Sequence, residues 1–276
     1  MARLLEGKPV ADKIKEELKR QIESLKKKPV LASIQAGDNA GAAAYVKSQQ
    51  KTAQNLGIEY QLHSLNQDIN EAELIKFIQK LNSDNTINGI IIQMPLPSQI
   101  DYKKISQFID PEKDAEGMHP ANIGKIVFGK ANILPCTPAA VMELIKETGI
   151  DLYGREVVIV GHSEIVGKPL SLLLLEKFAT VTVCHTNTRN LREHTLNADI
   201  LMTATGVPKL IKANMVKEGV IIVDIGISRI NDKIIGDVDF DLVKNKCSYI
   251  TPVPGGVGPM TIISLIENLI EISEKS

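Results

Sequence analysis

Apolar residues recur along this chain in two rhythms, and the alternation between them predicts the fold. From Val10, the positions Ile14, Leu18, Ile22 and Leu25 return every three or four residues and mark an amphipathic helix that Pro29 ends. VLASIQAG (30–37) is a continuous apolar run of strand length. AGAAAYVKSQQKTAQNLG (40–57) reads as a helix stopped by Gly57, and IEYQLHSL (58–65) as a strand. NEAELIKFIQKLNSD (70–84) reads as a helix with an asparagine cap, and NGIIIQMPLP (88–97) as a buried strand entering a proline loop.

The pattern restarts after PEKDAEGMHPANIGKI (111–126) and PCTPAAVMELIKETG (135–149). EVVIVGHSEIVGKPLSLLLLEKF (156–178) gives strand, glycine turn and helix, and TVTVCH, DILMTATG and VIIVDIG supply further short strands. Strands alternating with helices imply βαβ units and a largely parallel sheet. The economical fold is α/β with two α/β domains, the second a Rossmann-like dinucleotide-binding domain, and a ligand cleft between them. Near the C-terminus, TPVPGGVGPMT (251–261) joins stiff prolines to permissive glycines, and the apolar positions of MTIISLIENLIEIS behind it fall at helical spacing.

Composition narrows the choices. The chain has 276 residues, with 32 Lys and Arg against 33 Asp and Glu, so no global field favours nucleic acid or an acidic membrane. The run Lys26 to Lys28 reads as the solvated end of the first helix. Cys136, Cys184 and Cys247 are far apart and form no CxxC pair, as expected of small buried residues in a reducing compartment. The N-terminus has acids in its first turns and no long apolar core, so it reads as no signal peptide, and no run approaches a membrane span. Five histidines fall at no HExxH spacing, which speaks against a zinc site.

Candidate chemistry lies at four places. Strand VVIV, then Gly161, His162, Ser163 and Gly167 opening a helix, is a variant of the dinucleotide turn, with Ser163 at the middle glycine position. A tight βα turn without a ligand is the other reading. The end of TVTVC carries His185-Thr186-Asn187-Thr188-Arg189, where NAD enzymes commonly place an acid for the ribose 2′-hydroxyl, so NADP is favoured. Tyr45 and Gln49 are i and i+4 on one helix and share a face that suits a flat heterocycle, or else a packed tyrosine. Gln93 ends a strand, where parallel sheets present ligand groups. Asp114 and Glu116 are ligands or the acids of a solvated turn.

YVKSQ, QMPLP, PEKDAEGMHP, PCTP, GHSEIVGKP, VDIGI, GDVDF and TPVPGGVGPMT lie in this order along nearly the whole chain. Together they resemble the bifunctional methylenetetrahydrofolate dehydrogenase/cyclohydrolase family. That resemblance implies a folate-binding catalytic domain over 1–143 with 259–276, a Rossmann-like NADP-binding domain over 144–258, a homodimer and a cytoplasmic location. It implies catalytic roles for Tyr45, Gln49, Gln93 and Glu116, with Tyr45 stacking on the pterin and Gln93 beside the reacting one-carbon centre. Tetrahydrofolate derivatives would also meet Pro95, Leu96, Pro254, Gly255, Gly256 and Pro259. NADP would meet Gly161, His162, Ser163, Ile165, Val166, Gly167, His185, Thr186, Arg189, Thr205, Gly206 and Ile227; no metal is implied.

The family reaction removes a hydride from 5,10-methylenetetrahydrofolate and then hydrolyses the methenyl cation to 10-formyltetrahydrofolate. The family places a lysine four residues after the tyrosine for the second step. Here that position is Gln49, which takes no proton at neutral pH, while Lys47 and Lys51 lie roughly 160° and 120° around the helix from Tyr45. Dehydrogenation is therefore expected and hydrolysis expected to be weak or absent. Glu116 replaces the common Asp, and His162 the arginine of many NADP-dependent members. The competing readings are a shikimate- or amino-acid-type NADP dehydrogenase and a non-catalytic nucleotide-binding protein.

Overall fold

The structure, a computed structural model, describes residues 2–37, 40–231 and 233–275. In chain order, the first half carries β1 (Arg3–Leu4), α1 (Gly7–Ser24), β2 (Val30–Ala36), α2 (Ala40–Asn55), β3 (Glu59–Leu65), α3 (Glu71–Ser83), β4 (Gly89–Ile92), α4 (Tyr102–Ile105) and α5 (Pro120–Val127). The second half carries α6 (Cys136–Lys146), β5 (Glu156–Val160), α7 (Gly167–Leu175), β6 (Thr180–Cys184), α8 (Leu191–Asn197), β7 (Ile200–Thr203), β8 (Val220–Asp224), β9 (Ser228–Ile230), β10 (Lys233–Ile235), α9 (Phe240–Val243), β11 (Cys247–Ile250) and α10 (Val257–Ser273). Grouped by contacts, the chain falls into two α/β units, Met1–Lys13 with Pro135–Thr261, and Ile14–Leu134 with Ile262–Ser276.

In the unit built on residues 14–134, three parallel strands lie in the order β3-β2-β4. β2 is the middle strand, and every residue of it except Gln35 is buried, as a strand covered on both faces requires. Ala32, Ile34, Ile90 and Ile92 pack with Leu74, Ile78 and Leu81 of α3. α3 starts on a capping box: Asn70 Oδ1 accepts from Glu73 N at 3.0 Å, and Glu73 Oε2 accepts from Asn70 N at 3.2 Å. At its other end the Lys113 ammonium donates to the carbonyls of Leu81, Asn82 and Asp84 at 3.3, 2.7 and 2.8 Å, adding to the bonds that Leu81 and Asp84 accept from the N–H groups of Asp84 and Ile87 at 3.2 and 3.1 Å. The end of α10 in this unit is tied by Asn268, whose amide donates to the carbonyls of Ala115 and Leu134 at 2.9 and 2.7 Å.

The other unit holds a six-stranded sheet in the order β1-β11-β8-β7-β5-β6, with every neighbouring pair parallel. From β5 the chain passes to β6 on one side and then to β7 on the other. The strand order therefore reverses at β5, and such sheets bind ligands outside the carboxyl end of the strand where this happens. Val158, Val160, Leu201, Ile222 and Ile250 form the buried centre. β9 and β10 make a separate antiparallel hairpin.

Three features depart from the sequence reading. α1 ends at Ser24, so Lys26 to Lys28 follow the helix rather than close it. Arg3–Leu4 pair with Tyr249–Ile250 in the six-stranded sheet, which groups the first residues with that unit, and the contact boundary falls at 134/135 where the sequence reading divides at 143/144. The strand CSYI and the short hairpin were not anticipated. Among the described residues no helix is long and apolar enough to cross a membrane, and no three His, Cys, Asp or Glu side chains converge as metal ligands. All three cysteines are free, Cys184 and Cys247 buried and Cys136 partly exposed.

Candidate active site

Three strands and one helix build a buried polar cluster. The register of the first sheet sets Tyr60 beside Leu31, Leu62 beside Ser33 and Ser33 beside Ile91. Paired residues and those two positions along a strand point to the same face, so Tyr60, Ser33 and Gln93 form a diagonal across one side of the sheet. Gln49 reaches that line from α2. Gln93 Nε2 donates to Gln49 Oε1 at 2.7 Å and to Ser33 Oγ at 3.0 Å, and the Tyr60 hydroxyl donates to the same Gln49 oxygen at 3.2 Å. All four side chains are buried. Gln49 and Gln93 thus come together as the sequence implied, while Ser33 and Tyr60 were missed. The available signal was a serine in the largely apolar β2; β3 carries Glu59, Gln61, His63 and Ser64 as well, and nothing in it singles out Tyr60.

Tyr45 lies one turn before Gln49 on α2 but is 41% exposed, so it offers a ring face to solvent where Gln49 is enclosed. Lys47 and Lys51 are exposed, as their helical angles require. Asp114 is not a solvated turn residue: it is buried, and its carboxylate accepts from His119 N at 2.7 Å and Asn122 Nδ2 at 3.0 Å, which fixes the turn into α5. Glu116 meets the Ile92 N–H at 3.5 Å and the Tyr102 hydroxyl. Burial, and then the Asp114 charge, push Glu116 up to about 7 against those hydrogen bonds. Burial likewise pushes the Tyr60 phenol up, against the pull of Ser33 and Gln93, and Glu116 adds to the rise. After β4, Pro95 is exposed and Leu96 half-buried.

In the other unit, the turn after β5 has the shape of a phosphate cradle. Gly161 has φ +129°, and a Cβ on it would lie 2.4 Å from the Ala204 carbonyl oxygen. A Cβ on Gly167 would lie 2.0 Å from the Gly161 oxygen, so both positions exclude any side chain. Between them Ser163 Oγ accepts from Val166 N at 3.2 Å, His162 and Ile165 are exposed, and α7 begins at Gly167. The rings of His162 and His185 meet edge to face with centroids 5.0 Å apart. His185 is set by Thr188 Oγ1, which accepts from its N–H at 2.8 Å, and its Nδ1 accepts from Asn187 N at 3.2 Å. Thr186 and Arg189 are exposed beside them.

Two buried aspartates, unassigned by the sequence reading, hold the neighbouring loops. Thr205 donates its N–H and hydroxyl to Asp237 Oδ2 at 2.6 and 2.8 Å. Asp224 accepts from Gly226 N, Asp237 N and Val238 N at 3.1, 3.1 and 2.9 Å, and burial pushes it up to about 6. These bonds set Gly206 and the 64% exposed Ile227 at the rim of the sheet. In the proline-glycine loop, Gly256 is buried because the chain start packs on it: a Cβ on Gly7 would lie 1.9 Å from its oxygen. Pro254 and Gly255 are exposed, and Pro259 is half-buried.

This arrangement offers a neutral amide pair beside a carboxyl of near-neutral pKa in one unit, and a glycine cradle with an acid-free strand end in the other. Two family descriptions match the chain: "Tetrahydrofolate dehydrogenase/cyclohydrolase, catalytic domain" over residues 5–116 and "Tetrahydrofolate dehydrogenase/cyclohydrolase, NAD(P)-binding domain" over 135–276. The chain is 47% identical over 279 residues to the bifunctional protein FolD of Agathobacter rectalis, with 100% of each covered. The structure of the bifunctional FolD dehydrogenase/cyclohydrolase from Campylobacter jejuni shares 46% identity and a TM-score of 0.97, covering 100% of this chain and 99% of that one. Trypanosoma brucei FolD, solved with NADP and an inhibitor, shares 32% identity and a TM-score of 0.95 over 99% and 98% of the two chains. Matches of this extent do not favour the shikimate-type or non-catalytic alternatives. The chain belongs to the tetrahydrofolate dehydrogenase/cyclohydrolase family.

Proposed function

We propose that this chain oxidises 5,10-methylenetetrahydrofolate to 5,10-methenyltetrahydrofolate with NADP, and that it hydrolyses the methenyl product weakly or not at all. The observation that carries the division is Gln49, buried and hydrogen-bonded as a neutral amide where a proton-transferring amine would be needed. Positioned acid-base groups contribute typically about 10²–10⁴-fold, and hydrolysis loses that contribution here. Hydride transfer keeps its machinery, because substrate nitrogens support the developing cation and the protein mainly aligns the reactants. Tyr45, Gln93, Glu116, Pro95, Leu96, Pro254, Gly255, Gly256 and Pro259 are assigned to folate.

NADP supplies the hydride acceptor. The close backbone approach at Gly161 and Gly167 fits its pyrophosphate at the start of α7, with Ser163, Ile165 and Val166 around it. Arg189, His162, His185 and Thr186 fit a 2′-phosphate, since no acid occupies the end of β6. Thr205, Gly206 and Ile227 line the remaining cofactor contact. The chain works in the cytoplasm as a homodimer; light scattering of the purified protein tests the dimer.

The deciding experiment follows absorbance during turnover of the methylene substrate with NADP and with NAD, then separately measures methenyl hydrolysis above the spontaneous rate. Dehydrogenation with little hydrolysis, and a hydrolysis rate raised in Gln49→Lys, is the expected result. Hydrolysis in the parent at the pace of its own dehydrogenation would defeat the division.

A further inference from the structure

The carboxyl ends of β5 and β6 stand side by side. Val160 pairs with Cys184 in the sheet, and the Gly161 N–H donates to the Cys184 carbonyl at 2.8 Å, so the residues that follow, His162 and His185, leave the two strands as neighbours. Their rings meet edge to face, with centroids 5.0 Å apart and planes at 64°, and both side chains are exposed.

The two rings are not equivalent. The loop after β6 is closed by Thr188, whose N–H donates to the His185 carbonyl at 2.9 Å and whose Oγ1 accepts from the His185 N–H at 2.8 Å. Inside that loop the Asn187 N–H donates to His185 Nδ1 at 3.2 Å. A ring nitrogen that accepts a hydrogen bond carries no hydrogen, so His185 is held as the neutral tautomer with its hydrogen on Nε2. Charging it would set a second hydrogen against the Asn187 N–H. The ring of His162 makes no hydrogen bond among the described residues, so a proton added there breaks nothing. The pair is therefore built to take one proton, on His162.

The charged and titratable groups on the surrounding elements are few. Glu164 is paired with Lys168 of α7 at 3.0 Å, Arg192 of α8 donates to the Asn214 carbonyl at 2.8 Å, and burial pushes the Cys184 thiol up. Glu193 and His194 follow on α8, and Arg189 precedes it as a permanent cation. Among the described residues no acid pairs with either His162 or His185.

We propose that His162 takes up a proton when the 2′-phosphate of NADP binds, while His185 stays a neutral donor through Nε2, so that the preference for NADP over NAD falls as pH rises. The inference rests on the proposed placement of the 2′-phosphate beside these residues. Phosphate monoesters release their second proton near about pH 6, so at neutral pH the incoming group is mostly a dianion. An ordinary imidazole, with its midpoint at about 6.5, is mostly neutral there. An opposite charge within about 4–6 Å strengthens a cationic group's hold on its proton by about 10–10³-fold. The complex thus binds a proton from solvent that the free protein lacks, and by linkage its affinity falls as protons become scarce. NAD carries a hydroxyl at that position and calls for no proton. Arg189 supplies a contact that pH does not alter; His162 adds one that it does.

The test is calorimetric titration of the parent with NADP and with NAD at pH 7.5, in Hepes and in Tris, whose different heats of ionisation report the protons exchanged on binding. NADP should take up roughly half a proton to one proton, and NAD close to none. Relative to that for NAD, the dissociation constant for NADP should rise about tenfold from pH 7 to pH 9. Asp224, pushed up to about 6 by burial in the same sheet, is common to both titrations and cancels in the comparison. His162→Gln keeps a polar side chain and should lose the uptake. His185→Gln should bind NADP more weakly and still take up the proton. Equal uptake with NADP and NAD, no uptake in the parent, or uptake that survives in His162→Gln or vanishes in His185→Gln overturns the proposal. A parent that binds neither dinucleotide overturns the cofactor reading, and the proposal with it.

Discussion

Glu116 should make this protein less stable as pH rises toward neutrality, and Glu116→Gln should abolish that dependence. Burial and the Asp114 charge raise its pKa from the ordinary 4.5 to about 7. An acid whose folded pKa exceeds its unfolded value holds its proton more tightly when folded. Its contribution to stability is complete below 4.5 and is lost as pH climbs through about 7. At 1.36 kcal/mol per pH unit, the rise corresponds to about 3 kcal/mol. For a chain of this size that is a melting shift of about 6–12 °C. The assay is thermal unfolding of parent and Glu116→Gln at closely spaced pH values from 4.5 to 8. Asp224, pushed up to about 6 by burial, adds a slope in the same window to both proteins, so the quantity to read is the difference between the two curves. Parallel curves would refute the reasoning, because they would mean that Glu116 ionises as readily in the folded protein as in the unfolded chain.

Arg189→Ala should raise KM for NADP more than for NAD, since only the former carries a 2′-phosphate; equal effects in paired steady-state assays would remove Arg189 from that contact. Tyr45→Ala should weaken folate binding by about 1–3 kcal/mol, by analogy with base stacking on aromatic rings, while calorimetry shows NADP binding intact. Lys113→Met should destabilise the protein by about 1–3 kcal/mol in urea, because three carbonyls at the end of α3 lose their shared donor. A smaller loss would mean that water replaces the ammonium.

The fold was legible wherever one rhythm persisted for a full element. α3 shows this best: Leu74, Ile78 and Leu81 recur on one face, Asn70 and Glu73 cap the start, and the observed helix spans Glu71–Ser83. β2 and β4 were legible because nearly every residue is apolar, as strands covered on both faces demand. What failed had no length in which to show a period. Arg3–Leu4 becomes a strand only because β11 lies beside it, and two residues carry no alternation. CSYI buries only its ends, so its membership of the sheet is decided by β8 rather than by its own pattern.

The sequence showed which face of α2 the candidate residues share and not how deep each lies. The i, i+4 spacing of Tyr45 and Gln49 fixes their direction around α2, yet one is 41% exposed and the other 5%. That difference arises because Gln49 reaches Tyr60 of β3 and Gln93 just past β4, and the strand order β3-β2-β4 is not written in any local stretch. The substitution of a neutral amide for an amine is visible from sequence as a loss of proton transfer. Which groups that amide meets is not visible from the helix alone. Its surroundings come from separate elements, Ser33 on β2, Tyr60 on β3 and Gln93 just past β4, through hydrogen bonds of 3.0, 3.2 and 2.7 Å that exist only once the sheet is in register. A glutamine at this position therefore has no fixed chemical meaning of its own. Its partners are set by the register of the sheet that holds Tyr60 and brings Gln93 to it.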